Sequence, residues 1–322
     1  MARKFISQFN SGEVVDNIFL VQNKELRTTK NGGLYMQAQM ADRTGVIEAR
    51  MWDTNVSLFK SLGNDVFLKV KGRVEIYQNR LQLIIKGISR TNQDEIKLED
   101  YLPSTENDIN EMMSELRQIA GSVKQPYLQK LLNLFFSDKD FCKDFCKAPA
   151  AVSYHHAFLG GVLEHTLSVA KLGREIAPLY PDLNKDLLIC GTILHDIGKI
   201  SELCYEKNLN YSDEGQLIGH LISGVLMIEE KVKQIEGFPK TLLDLLRHLV
   251  LSHHGEYEWG SPKLPMTPEA LALHYLDNLD AKMHAFNKAI SGDKDPDNNW
   301  TGYNRMFERK LFKKSGDYVV KP

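Results

Sequence analysis

A change in hydrophobic periodicity between residues 90 and 105 constrains the fold more than any other feature of this chain. Before it, apolar and polar residues alternate, as in the segment LYMQAQM at 34–40. After it, apolar residues recur every three or four positions, as in Ile109, Met112 and Leu116. Alternation indicates half-buried strands, and the longer period indicates amphipathic helices. We therefore predict a strand-rich first domain followed by an all-helical one.

Five strand patterns lie within residues 1–90, the first at 13–22, and a short helical pattern at 54–62 separates the third strand from the fourth. The last two strands meet at Gln78-Asn79, which indicates a tight hairpin. This order matches the OB-fold, a small barrel that binds oligonucleotides on one face and its loops. We predict a five-stranded OB-like β-barrel.

The predicted fold class is therefore α+β multidomain. The OB-like β-barrel occupies 1–90, a polar linker follows at 91–105, and an all-α domain with a basic C-terminal tail occupies 106–322. Thr105 and Asp108 resemble a capping box that would start the first helix of that domain.

Charge is distributed unevenly between the two predicted domains. Residues 1–90 hold fourteen Lys and Arg against eight Asp and Glu, a net charge of +6, and since the whole chain carries -2 the remainder carries -8. A basic N-terminal part favours a polyanionic partner. No apolar run approaches the roughly 18 residues of a membrane span, so we expect a cytoplasmic protein without a membrane partner.

Histidine and aspartate residues are concentrated on the predicted helices between 155 and 280. The candidate metal ligands are His165, His195, Asp196, His220, His253, His254 and Asp277. A lone histidine on an apolar face is commonly a core residue. However, the segment LLICGTILHDIGK is apolar until it reaches His195-Asp196, and an ionised aspartate there is costly without a cation or a paired donor. Mixed nitrogen and oxygen ligands suit Mn, Fe, Co, Ni or Zn better than Ca.

The ordered pattern H…HD…H…HH…D, with the run HDIGK, resembles the HD superfamily of metal-dependent phosphohydrolases. The resemblance implies a first metal at His165, His195, Asp196 and Asp277, and a second at His220 with His253 or His254, with Asp196 bridging both. Asp196 and Lys199 are the implied catalytic residues, although Lys199 could equally be a solvated lysine. His155 and His156 are expected to lie behind the ligands or to contact a substrate phosphate.

Both domains together resemble the YhaM family of 3'-5' exoribonucleases. The segments that carry the resemblance are NKELRTTKNGGLYMQAQMADRTGVIEARMW and YHHAFLGGVLEHTLSVA, the second leading into HDIGK. It implies an enzyme activated by divalent Mn or Co that shortens single-stranded RNA, and in some members single-stranded DNA, releasing nucleoside 5'-monophosphates. The expected nucleic-acid contacts are Lys24, Arg27, Lys30, Tyr35, Arg50, Trp52, Tyr77 and Arg80.

The sequence leaves open two alternative functions and the position of one residue, Trp52. The chain could hydrolyse a small nucleotide or a cyclic dinucleotide, with a regulatory OB module, although HHGEYEWGSP departs from the HHxxxDGxGYP pattern of the cyclic-dinucleotide enzymes. It could be a binding protein with structural metals, which the full ligand set argues against. Trp52 could belong to the barrel core or to the binding face. A homo-oligomer is compatible with the sequence.

Overall fold

The computed structural model of the protein describes residues 3–52, 54–63, 66–92, 95–152, 156–205, 209–293, 295 and 298–313. The chain divides into two compact units. One comprises residues 1–104 and 204–209, and the other comprises residues 105–203 and 210–322.

The first unit is a closed five-stranded barrel. Its elements are β1 (Val14–Thr28), β2 (Leu34–Asp42), β3 (Gly45–Met51), the helix α1 (Val56–Ser61), β4 (Val66–Tyr77) and β5 (Arg80–Arg90). The strands close in the order β1-β2-β3-β5-β4, and β3 and β5 are the parallel pair. This is the predicted OB-like barrel, with the helix between the third and fourth strands.

Because apolar and polar residues alternate along the strands, the apolar side chains lie in the core of the barrel. Met36, Ala38 and Met40 of β2 are buried in the barrel, together with Phe19 of β1 and Leu83 of β5. The opening strand is longer than predicted and ends at Thr28 rather than near residue 22. A bulge between Gln22 and Glu25 shifts its register against β2, and such bulges bend a strand.

Two local features fix the β4–β5 hairpin. Gln78 and Asn79 both have positive φ, as the predicted tight turn requires, and Tyr77 pairs with Arg80 across it. Further along, the register shifts between Lys71 and Gly72. A Cβ on Gly72 would lie 2.4 Å from the carbonyl oxygen of Ile84, so glycine is needed for this close approach.

The second unit is built from helices. They are α2 (Ile109–Gly121), α3 (Pro126–Ser137), α4 (Lys139–Phe145), α5 (Gly161–Ile176), α6 (Lys185–Leu194), α7 (Lys199–Glu202), α8 (Asp213–Leu217), α9 (His220–Val232), α10 (Lys240–Ser252) and α11 (Pro268–Ser291). Between α7 and α8 lie two short strands, β6 (Leu203–Cys204) and β7 (Asn210–Tyr211), which the sequence did not predict. Among the described residues, no helix combines the length and apolar composition of a membrane span.

Helix α5 occupies the centre of this unit and packs against α2, α6 and α11. Helix α6 is buried from Leu187 to Leu194, as its apolar sequence predicted. The capping box predicted at the start of α2 is wrong in one respect. Asp108 is the N-cap residue and accepts from the backbone amides of Asn110 and Glu111, whereas the Thr105 hydroxyl contacts the Glu164 carboxylate.

Candidate metal centre

The seven predicted ligands come together from five helices and the turns that follow them. His165 lies in α5, His220 is the first residue of α9, and Asp277 lies in α11. His195 and His253 are the C-cap residues of α6 and α10, so Asp196 and His254 lie just beyond those helix ends. Ligands at helix ends can turn toward a common point, while the helices behind them remain packed.

One group of ligand atoms surrounds the His165 ring. Its Nε2 lies 3.2 Å from Nε2 of His195, 3.1 Å from Oδ1 of Asp277 and 3.4 Å from Oδ2 of Asp196. The nearest atoms of His195, His165 and Asp277 are close enough together to share one cation. The two histidines are fully buried.

A second group surrounds His220. Its Nε2 lies 3.2 Å from Nε2 of His254 and 3.7 Å from Oδ1 of Asp196, and Nε2 of His253 lies 3.6 Å from the same oxygen. His220, His253 and His254 together form a possible three-nitrogen site. The structure therefore brings both His253 and His254 to this group, where the sequence left the choice between them open.

All five histidines are oriented by their outer ring nitrogens. Nδ1 of His165 lies 2.7 Å from Asp280, and Nδ1 of His220 lies 2.9 Å from Glu202. Backbone carbonyls hold the others, and the pairs are His195 with Thr192, His253 with Val250, and His254 with Trp259. When Nδ1–H donates outward in this way, Nε2 carries the lone pair that a metal requires. Five rings with one shared orientation are difficult to explain as ordinary core packing.

Asp196 connects the two groups. Its Oδ2 faces His165 and His195, and its Oδ1 faces His220 and His253. Oδ1 is buried and accepts no hydrogen bond from the described protein atoms. Because an unsatisfied buried carboxylate oxygen is costly, this atom is suited to a cation between the two histidine sets. The donor set of imidazoles and carboxylates fits a divalent transition metal.

The pKa values of the site residues are shifted by burial and by close pairing with charged groups. Burial raises the pKa of Asp196, but Lys199 and His195 outweigh it and hold the pKa well below its usual range. Burial lowers the pKa of His165, but hydrogen bonds to Asp277 and Asp280 raise it to about 10. Burial and the neighbouring histidines lower the pKa of His254 to about 3, which keeps this ring neutral.

Lys199 is buried, and its Nζ lies 2.6 Å from Oδ2 of Asp196. Helix α6 ends at Leu194, and Gly198 is the N-cap of α7. A Cβ on Gly198 would lie 2.0 Å from the carbonyl oxygen of His220. Glycine in the HDIGK run therefore lets the turn that carries Asp196 approach the start of α9.

Residues that the sequence analysis missed hold the ligands from outside. Asp280 accepts from His165 and, at 3.1 Å, from Nε2 of His156, and the Ser168 hydroxyl donates to its other oxygen. Asp280 lies one helical turn after Asp277, and Ser168 one turn after His165, so the three-residue spacing was an available signal. His156 is buried behind the ligands, one of its two expected positions, and His155 lies outside the described residues.

Four of the predicted nucleic-acid residues form a cluster on the outside of the barrel. The rings of Tyr35 and Trp52 are 5.0 Å apart, and the guanidinium of Arg50 lies 4.9 Å from the Tyr77 ring and 5.9 Å from the Trp52 ring. Trp52 is 42% exposed, so it belongs to the surface and not to the core. Exposed rings beside a cation can stack unpaired bases and contact phosphates.

The other four predicted nucleic-acid contacts differ in whether their side chains are already paired within the protein. Lys30 and Arg80 are exposed, and Arg27 is exposed but paired with Glu25 at 2.7 Å. Nζ of Lys24 donates to the carbonyls of Phe59 and Leu62 at the end of α1. Lys24 thus satisfies a helix end, a role that the sequence did not suggest.

Comparisons with known proteins agree with both halves of this description. The HD domain family model matches residues 162–282, and a family model for an OB-fold nucleic acid binding domain matches residues 20–90. The 3'-5' exoribonuclease YhaM of Bacillus subtilis is 37% identical over 280 residues, which cover 87% of this chain and 88% of that protein. The protein of the same name from Bacillus licheniformis is 36% identical, and the match covers 87% of this chain and 88% of that protein. The one from Bacillus pumilus is also 36% identical, and the match covers 89% of this chain and 91% of that protein. The chain belongs to the YhaM family of 3'-5' exoribonucleases.

Proposed function

We propose that this protein hydrolyses single-stranded RNA from the 3' end and releases nucleoside 5'-monophosphates in a reaction that requires divalent metal ions. The observation that carries the proposal is the position of Asp196. Its two oxygens face two separate histidine groups, and Oδ1 is buried and accepts no hydrogen bond from the part of the chain that the structure describes. This arrangement suits a carboxylate that bridges two cations.

The site residues divide into two sets that share Asp196. His165, His195, Asp196 and Asp277 would hold the first ion, and His220, His253, His254 and Asp196 would hold the second. Two divalent ions, with Mn or Co preferred, would supply an activated water and neutralise charge on the phosphodiester. The protein positions these ligands through Asp280, Glu202 and backbone carbonyls, so little reorganisation is needed when the substrate binds.

Lys199 contacts the same carboxylate, that of Asp196. Its ammonium donates to Oδ2 of Asp196 and favours the ionised carboxylate. An ammonium group offers three donors, so a non-bridging phosphate oxygen at the site can accept another of them. We propose that Lys199 both orients Asp196 and contacts the phosphate of the bond that is cleaved.

The barrel would supply affinity for the strand. The cluster of Tyr35, Arg50, Trp52 and Tyr77, with Lys30, Arg27 and Arg80 on the same unit, combines stacking rings with phosphate contacts. Base stacking tolerates any sequence but requires unpaired bases. The substrate is therefore a single strand, and a stable duplex should stop digestion at the first base pair.

A substrate panel tests this function. The full-length protein with Mn²⁺ would be incubated with a linear 5'-labelled RNA, the same RNA with a 3' overhang beside a hairpin, a circular RNA and a cyclic dinucleotide. We expect trimming of the linear RNA, arrest at the hairpin, and no attack on the last two. Cleavage of the circle would indicate an endonuclease, and hydrolysis of the cyclic dinucleotide alone would favour a small-molecule phosphodiesterase with a regulatory OB module.

A further inference from the structure

A second cluster of ligand-type side chains lies beside Asp280, whose Oδ2 contacts both His156 of this cluster and His165 of the main site. It consists of His156, Glu164 and His284, whose nearest nitrogen and oxygen atoms could share one cation. Nδ1 of His156 lies 3.6 Å from Oε1 of Glu164, and the rings of His156 and His284 are 4.1 Å apart. The main site assigns a metal-ligand role to none of these three and involves only His156, through its contact with Asp280.

Two members of the cluster, His156 and Glu164, are held in place by contacts outside it. Nε2 of His156 is held 3.1 Å from Asp280, which directs Nδ1 toward Glu164. The Thr105 hydroxyl donates to Oε2 of Glu164, and Oε1 of Glu164 is the oxygen that faces His156. One atom of His156 and one of Glu164 are thus fixed from outside the cluster while the other faces into it, as expected for metal ligands.

A cavity with a volume of about 500 Å³ opens beside the cluster. Its lining includes Asp108, Glu111 and Glu115 in addition to His156, Glu164, Asp280 and His284, against a single lysine, Lys171. That lysine is paired with Glu115 at 2.7 Å. The excess of carboxylates favours a cation in this cavity and disfavours a phosphate.

We propose that His156, Glu164 and His284 form a third metal site, separate from the pair of ions at Asp196. Two imidazoles and one carboxylate suit a divalent transition metal such as Co²⁺ or Zn²⁺, with the open side of the cavity leaving room for water. Asp280 contacts both His156 and His165. An ion here would therefore hold His156 in place and, through Asp280, steady the His165 ring.

The test counts bound Co²⁺ by equilibrium dialysis of the full-length protein followed by elemental analysis. His284→Gln removes one ligand of the cluster from a partly exposed position and leaves the Asp196 site intact. Asn287→Ala is the matched control, because Asn287 lines the same cavity one turn further along α11 but is not a member of the cluster. We expect His284→Gln to bind about one ion fewer than the wild type, and Asn287→Ala to bind the same number.

The same comparison in an Asp196→Asn background separates this site from the proposed catalytic one. There the main site is weakened, and adding His284→Gln should still remove about one further ion. Equal Co²⁺ binding by wild type and His284→Gln would overturn the third site. Loss of all bound Co²⁺ on Asp196→Asn alone would overturn it as well, and neither result depends on whether the protein degrades RNA.

Discussion

At the scale of single residues, the two oxygens of Asp196 face different sets of histidines, and Asp280 and Glu202 hold rings of both sets from outside. Asp280 accepts from Nδ1 of His165, and Glu202 from Nδ1 of His220. Such outer carboxylates raise the basicity of a ligand and fix its tautomer. We therefore expect Asp280 and Glu202 to affect metal binding through the candidate ligands that they hold.

Removing the outer carboxylate should weaken the site without removing a ligand. We expect Asp280→Asn to lower the affinity for Mn²⁺ by about 10- to 100-fold, because His165 loses its charged acceptor. Competition with a chromogenic chelator measures this affinity. Asp293→Asn is a suitable control, since Asp293 is a carboxylate that pairs with Lys313 and touches none of the ligands. An unchanged affinity in Asp280→Asn would contradict the orienting role.

Metal uptake should release a proton from His165. Its pKa is raised to about 10, so the metal-free ring is protonated at pH 8, and an ion can take Nε2 only after that proton leaves. Apparent affinity should therefore rise with pH toward about 10 and fall as the pH is lowered. Calorimetry of Mn²⁺ binding in two buffers of different ionisation enthalpy should detect release of about one proton per chain. No proton release would contradict a His165 ligand.

His195 and Asp196 could be found from the sequence because they stand at the end of an apolar, buried helix. The other candidates were found from their order along the predicted helices. The apolar run before His195-Asp196 made an ionised side chain there costly. The outer residues gave a weaker signal. Ser168 and Asp280 follow a predicted ligand by one turn, but a serine or aspartate at that spacing is equally common on a solvated face. The pairing of Lys199 with Asp196 required the turn at Gly198, which sequence spacing does not specify.

At the scale of the elements, alternation predicted the strands of the barrel and the turn residues predicted its last hairpin. The bulges could not be predicted in the same way. The register shift between Gln22 and Glu25 depends on how β1 bends to pair with both β2 and β4. The part of β1 beyond the bulge pairs with β2, where Glu25 lies opposite Gln37. Periodicity within one strand does not show that the strand continues past a bulge, so the true length of β1 was missed.

Gly72 provides a test of the bulge between β4 and β5. Gly72→Ala would place a methyl group 2.4 Å from the carbonyl oxygen of Ile84, and such overpacking costs roughly 1–3 kcal/mol. Gly87→Ala is the control, because its Cβ would meet only the Cβ of Lys71 at 3.9 Å. Hydrogen exchange of the full-length protein should show faster exchange in the barrel strands of Gly72→Ala alone. Equal exchange in both variants would contradict the close approach.

The outer face of the barrel can be tested at Trp52. Loss of one stacked base costs about 1–3 kcal/mol, so Trp52→Ala should weaken binding to a single-stranded RNA by about 5- to 150-fold. Binding is measured in excess chelator to suppress cleavage. Val46→Ala, which removes an exposed apolar side chain from β3, the strand that Trp52 follows, should bind like the wild type. Equal affinity in both variants would place the RNA elsewhere.

At the scale of the whole molecule, the charge asymmetry and the two kinds of periodicity agree with a basic strand-binding barrel followed by a helical hydrolase domain. The HD and OB-fold family models match these same two parts of the chain, at residues 162–282 and 20–90. None of the described residues by itself indicates the direction of digestion. It follows from membership of the family.

The central claim is that digestion from the 3' end depends on ions bridged by Asp196. The most direct measurement compares wild type and Asp196→Asn on a 5'-labelled single-stranded RNA in Mn²⁺, with products resolved by length. Wild type should give a ladder of shortening labelled products, and Asp196→Asn should be slower by more than about 100-fold, beyond the loss expected for an outer carboxylate. An undiminished ladder from Asp196→Asn, or from wild type in excess chelator, would contradict the metal mechanism, and immediate release of labelled mononucleotide would contradict the direction.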